Sequence, residues 1–222
     1  MEKERQFVHN LIILDESGSM ESIKKPTISG FNEVVETTKS VEAKFPDQKH
    51  FISLVTFNGD GIKELHWNQP VDQLGKINEE NYRPNCSTPL FDAIGRSVSK
   101  LREEIPADSN FSVLVTILTD GEENASVAYS SAQIKAMVEE LQKNFWTFSY
   151  IGANHDVVTA ARKIAIMNSM QFESDESSVK EMFVRENSAR MMLAKKLHDV
   201  GRDHADFKDS FYKDVEGEDA GK

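Results

Sequence analysis

Apolar residues follow two alternating rhythms along this chain. Short, nearly continuous apolar runs are separated by longer segments whose apolar positions recur every three or four residues. The runs predict strands and the longer segments predict helices. The first strand is expected over residues 7–14. A helix follows, carrying Phe31, Val34, Val35, Thr38, Val41 and Phe45 on one face. A second strand is expected over residues 51–57. Asn58-Gly59-Asp60-Gly61 then reads as a hairpin turn into an antiparallel strand over residues 62–67. An irregular polar stretch spans residues 68–87. A helix keeps Leu90, Ile94, Val98, Leu101 and Ile105 in register. Residues 111–119 are so continuously apolar that both faces of the strand should be covered, as in a parallel sheet. Next come a helix with Ile134, Met137, Val138 and Leu141, a strand over 146–151, a short helix over 157–164 and a short strand over 170–172. A final helix over 177–198 has Val179, Met182, Phe183, Leu193 and Leu197 as its stripe.

This βαββαβαβαβα order predicts a doubly wound, mostly parallel six-stranded α/β sheet. One edge strand is antiparallel, and right-handed crossovers put helices on both faces. Residues 1–200 should form this domain, and the polar, acidic segment 201–222 is expected to be loose. In such sheets ligands bind at the carboxyl ends of central strands, where the strand order reverses.

Composition narrows the partners. The 222 residues carry a formal net charge of −11 and are 39% hydrophobic. The negative balance argues against binding duplex DNA or an anionic membrane, since both demand a basic surface. The single cysteine, Cys86, rules out an internal disulfide and suits a reducing, cytoplasmic setting. The charged N-terminus, and the His9-Asn10 break in the run that follows it, read as neither signal peptide nor membrane span.

Three polar clusters fall at the expected carboxyl edge. Asp15, Ser17 and Ser19 follow the first strand, Ser87-Thr88-Pro89 opens the Leu90 helix, and Asp120-Gly121 follows the strand ending at Thr119. Each has a plain alternative as a turn or helix cap. Together they bring oxygen ligands, which a hard cation prefers, to one edge.

This set resembles the von Willebrand factor A (vWA) domain, a family with a Rossmann-like fold. Its metal-ion-dependent adhesion site consists of Asp-x-Ser-x-Ser, a distant Thr and a distant Asp. The matching residues are Asp15, Ser17, Ser19, Thr88 and Asp120, and the resemblance covers residues 7–198. It implies Mg²⁺ or Mn²⁺ as cofactor. Ser17, Ser19 and Thr88 would supply neutral oxygens, while Asp15 and Asp120 would act through water. The replaceable position would take an Asp or Glu of a protein partner. The family can also switch by sliding its last helix, which residues 177–198 match by position.

The wording around Asp15, Thr88 and Asp120, together with Tyr150-Ile-Gly-Ala-Asn-His155, is similar to that of intracellular bacterial and phage vWA proteins. One branch of these is associated with tellurium resistance and stress response, and its members tend to work with kinase-like and phosphatase proteins. The resemblance implies a binding module, an adaptor or scaffold, rather than an enzyme. One alternative is a subunit of a stress-response or defence assembly whose metal is structural. Another is a phosphatase of the Asp-x-Asp type, but Ser17 occupies the position of its second acid and removes the proton shuttle. His198, Asp199, Asp203 and His204 could suggest a second metal site, though a solvated helix end explains them more simply.

Overall fold

The computed structural model describes residues 5–106, 108–204 and 209–212. The strands are β1 (Gln6–Asp15), β2 (Gln48–Asn58), β3 (Gly61–Pro70), β4 (Phe111–Thr119), β5 (Trp146–Gly152) and β6 (Asn168–Gln171). They form one sheet in the order β3-β2-β1-β4-β5-β6. Every pairing is parallel except β2 with the edge strand β3. The helices are α1 (Lys24–Lys44), α2 (Leu90–Glu104), α3 (Ser131–Leu141), α4 (Val157–Lys163) and α5 (Glu176–Val200). The expected order and sheet are therefore present. The final helix starts at Glu176 because Asp175 caps it, accepting the amides of Ser177 and Ser178.

Alternation along the central strands builds two cores. Val8, Ile12 and Leu14 of β1 face one way with Leu114 and Leu118 of β4, and α1 and α5 cover them. Leu11 and Ile13 face the other way with Val113, Val115 and Ile117, under α2, α3 and α4. That double burial is why β4, and β1 from Leu11 to Leu14, read as nearly continuous apolar runs. On the first face α1 and α5 pack so closely that a Cβ on Gly30 would lie 1.9 Å from the Phe183 ring, so only glycine fits there.

That face also carries a buried polar network. Arg190 of α5 pairs with Glu186 at 2.9 Å. It donates to Asn10 of β1 at 2.9 Å and to Thr116 of β4 at 2.7 Å. Tyr212 donates to Glu186 at 2.6 Å and shares a hydrogen bond with Ser149 of β5. Phe211 and Tyr212 are buried in the core, although the sequence placed them in the loose segment beyond Gly201. Two aromatic rings in an otherwise polar stretch explain the difference. Residues 205–208 and 213–222 of that expected tail lie outside the described residues.

No helix among the described residues is long and apolar enough to cross a membrane. At the opposite edge from the candidate site, His198 bonds to Asp47 at 2.9 Å and tilts against Phe45, a structural role. Among the described residues no group of three or more His, Cys, Asp or Glu side chains gathers in metal-binding geometry.

Candidate functional site

Strands β1 and β4 are paired neighbours, and the chain leaves them on opposite sides of the sheet. Their carboxyl ends bring Asp15 and Asp120 to the crevice where the order reverses. Ser17, Thr88, Asp15 and Asp120 are all buried. Ser19 donates its hydroxyl to Oδ1 of Asp120 at 2.5 Å, and the Ser17 and Ser19 hydroxyls lie 3.2 Å apart. A Cβ built on Gly121 would sit 3.5 Å from Oγ1 of Thr88 and 3.8 Å from Oγ of Ser19. Both hydroxyls therefore face a space that a side chain at position 121 would fill. The structure thus brings Asp120, Ser17, Ser19 and Thr88 together, with Asp15 directly behind them.

Asp15 is held rather than free. Its Oδ1 accepts the Ser17 amide at 2.7 Å and its Oδ2 accepts the Thr119 hydroxyl at 2.6 Å. The Tyr82 hydroxyl donates to its carbonyl at 2.6 Å. Burial raises the Asp15 carboxyl to about 6, the hydrogen bonds from Thr119 and Ser17 oppose this, and the charge of Asp120 adds to it. Burial likewise raises Asp120. Oδ2 of Asp120 is buried with no hydrogen-bond partner. Two buried acids beside three hydroxyls, with one carboxylate oxygen unpaired, form a donor set suited to a hard divalent cation.

Thr88 does not cap α2. Pro89 is the N-cap residue, and its own side chain makes no capping hydrogen bond. The loop after β4 does this work instead. Glu123 accepts the Phe91 amide at 2.8 Å and the Ser126 hydroxyl accepts the Asp92 amide at 3.0 Å. Thr88 and Asn124 are joined in both directions, with the Thr88 amide on Oδ1 of Asn124 at 2.9 Å and the Asn124 amide on the Thr88 carbonyl at 3.2 Å. Asp92 returns the brace, accepting the amides of Val127, Ala128 and Tyr129.

Several supporting residues are silent in the sequence. Glu16 lies inside the Asp-x-Ser-x-Ser stretch, where it reads as filler. It is fully buried, and it accepts the Arg83 amide at 2.5 Å and Lys63 at 3.2 Å. Its carbonyl takes the Asn85 amide, and Gly18 donates to the Cys86 carbonyl, so the 83–86 loop is stitched to the site. Cys86 itself is exposed, in a left-handed conformation with φ 63°. Asp156 caps α4 through the Thr159 amide at 3.0 Å. His155 donates Nδ1–H to the Ala153 carbonyl at 2.5 Å and leaves Nε2 for the Tyr150 hydroxyl at 3.2 Å.

An open, mostly parallel sheet with helices on both faces and an acid-and-hydroxyl crevice at its switch point defines a doubly wound α/β domain. The model of the von Willebrand factor type A domain matches residues 11–185, and the chain belongs to that family. No curated protein matches the sequence.

Solved structures share the fold at low identity. A von Willebrand factor type A protein from Catenulispora acidiphila is 16% identical, with a TM-score of 0.53, over 85% of this chain and 43% of its own. Proximal thread matrix protein 1 of the mussel byssus is 16% identical, with a TM-score of 0.54, over 84% and 47%. The pilus adhesin SpaC of Lactobacillus rhamnosus GG is 10% identical, with a TM-score of 0.59, over 86% and 31%. The chain thus spans less than half the length of each of these three.

Proposed function

We propose that this chain is a metal-dependent protein-binding module, an adaptor or scaffold rather than an enzyme. The site would be a metal-ion-dependent adhesion site. Asp15, Ser17, Ser19, Thr88 and Asp120 would hold Mg²⁺ or Mn²⁺. The observation that carries this reading is the unpaired, buried Oδ2 of Asp120 beside the gathered hydroxyls of Ser17, Ser19 and Thr88. Once bound, the cation would supply positive charge and a water-filled position that a partner's Asp or Glu can take. Thr119 and the Ser17 amide fix the Asp15 carboxylate, and Ser19 orients Asp120. The three hydroxyls contribute oxygen without further negative charge, so attraction for an incoming carboxylate survives.

The family's general use as a protein-interaction module supports the reading, as do an adhesin and a thread matrix protein among its structural neighbours. Ser17 at the second position of the motif weighs against Asp-x-Asp phosphatase chemistry. The similarity of the motif wording to tellurium-resistance-associated bacterial and phage proteins points to a cytoplasmic stress-response setting with kinase-like or phosphatase partners.

Calorimetric Mn²⁺ and Mg²⁺ titration of wild type and Ser19→Ala, paired with pull-down in Mg²⁺ or chelator, tests both halves of this reading. Saturable binding weakened at least about tenfold in the variant, with a partner retained only in metal, is the expected result. A partner retained equally in chelator would make the ion structural, and absence of metal binding would end the reading.

A further inference from the structure

A cavity of about 220 Å³ opens beside the candidate site, between the start of α2 and α4. It is continuous with that site through the chain. Leu90 and Phe91 come directly after Thr88-Pro89, and Glu122 and Glu123 directly after Asp120-Gly121. Leu90, Tyr150 and Ile164 are buried and give it an apolar floor. Glu122 and Asp156 are exposed and stand at its mouth. The Glu123 oxygens are already committed to the amides of Phe91, Ala125 and Ser126. By contrast, no hydrogen bond or ion pair among the described residues engages the Glu122 carboxylate.

An apolar floor beneath an acidic mouth matches one kind of side chain, a hydrocarbon stem ending in a cation. An anion would meet Glu122, Glu123 and Asp156. A purely apolar group would fill the floor and leave the acids facing hydrocarbon. The negative potential reaches the floor as well. Burial chiefly raises the Tyr150 phenol, and the charges of Asp15, Glu122 and Glu123 raise it further. Lys163 is the single basic residue lining the cavity, and it is exposed on the α4 side.

We infer that this cavity receives an arginine or lysine side chain of the same partner whose carboxylate the neighbouring site captures, so that the recognised feature is a paired acidic and basic motif. The inference rests on the carboxylate-receptor reading of the site. It adds a rule that the metal alone cannot give. A cation captures any accessible acid, whereas the cavity selects acids with a basic neighbour. The two contacts reinforce one another, because the second forms within an already tethered ligand.

The test uses capped peptides in which an aspartate and an arginine are separated by none, one, two or three glycines, each compared with a leucine counterpart in Mg²⁺ and in chelator. N-acetylarginine amide alone is the second probe, read by NMR at Ala160 and Ile164. The best arginine peptide should bind about tenfold tighter than its leucine counterpart. Glu122→Gln should bring that ratio close to one, and Lys163→Ala should raise it. The arginine amide should shift Ala160 and Ile164 with or without metal. Equal affinities for arginine and leucine peptides at every spacing would overturn the proposal, as would unshifted Ala160 and Ile164 resonances. If the amide shifts both residues while no aspartate peptide responds to Mg²⁺, the cation cavity stands and the carboxylate reading falls.

Discussion

Thr119, the last residue of β4, donates its hydroxyl to Oδ2 of Asp15, the last residue of β1, at 2.6 Å. The Thr119 hydroxyl oxygen also accepts the Gly121 amide at 3.1 Å. One side chain therefore ties both halves of the candidate site across the strand pair. Thr119→Val keeps the shape and removes both bonds. It should cost about 1–3 kcal/mol of stability and weaken Mn²⁺ binding by about tenfold or more. Urea unfolding and calorimetric titration would measure the two effects, and Thr119→Ser should restore most of the metal affinity.

Glu16 holds the 83–86 loop against the site. Glu16→Gln would keep an acceptor for the Arg83 amide but lose the charge that Lys63 meets. Lys63 is half-exposed, so the ion pair itself contributes little. The expected effect is local. Hydrogen exchange at the Asn85 and Gly18 amides should speed up, while β4 amides stay protected.

The Glu186–Arg190 pair is almost wholly buried, and each partner also bonds to the sheet or to Tyr212. Arg190→Met alone should cost about 3–5 kcal/mol, because it strands the Glu186 charge. The Glu186→Leu/Arg190→Met double variant should cost clearly less than the sum of the singles. Tyr212→Phe should cost about 1–2 kcal/mol and so report whether the segment after α5 is docked in solution. Equilibrium unfolding of the four variants forms a complete cycle with a reporter.

His50 is buried and donates Nε2–H to Gln48 at 3.0 Å, while its Nδ1 has no partner. Burial, aided by the charges of Arg190, Lys49 and His9, pushes it from 6.5 down to about 3. The unfolded chain therefore binds a proton at this residue before the folded one does. Stability should be intact above pH 6.5 and fall as pH drops from there to about 3. His9, also lowered by burial, acts in the same direction. The pH dependence of unfolding free energy should be shallower in His50→Gln than in wild type across that window.

Periodicity exposes β1 and β4 because both their faces are apolar, and Asp15 and Asp120 stand out because they sit directly at the ends of those strands. What it hides is paired polarity. His9 and Asn10 look like interruptions of a strand, yet Asn10 is the acceptor that receives Arg190. Glu186 and Arg190 are four apart on a helix, the spacing of a common solvent-facing pair, and only the sheet beneath turns them inward. Glu16 and Thr119 are similarly invisible, since their partners lie far along the chain. Phe211 and Tyr212 sit in a stretch too short and too polar to show any period.

The mutual bracing of α2 by the loop after β4 has a consequence for engineering. Residues 88–92 and 120–129 exchange hydrogen bonds through Asn124, Glu123, Ser126 and Asp92. Neither segment keeps its shape on its own account. A transplant of binding specificity into another scaffold would have to carry both pieces as one cassette, and a chimera that swaps only one would arrive with its amides unanswered.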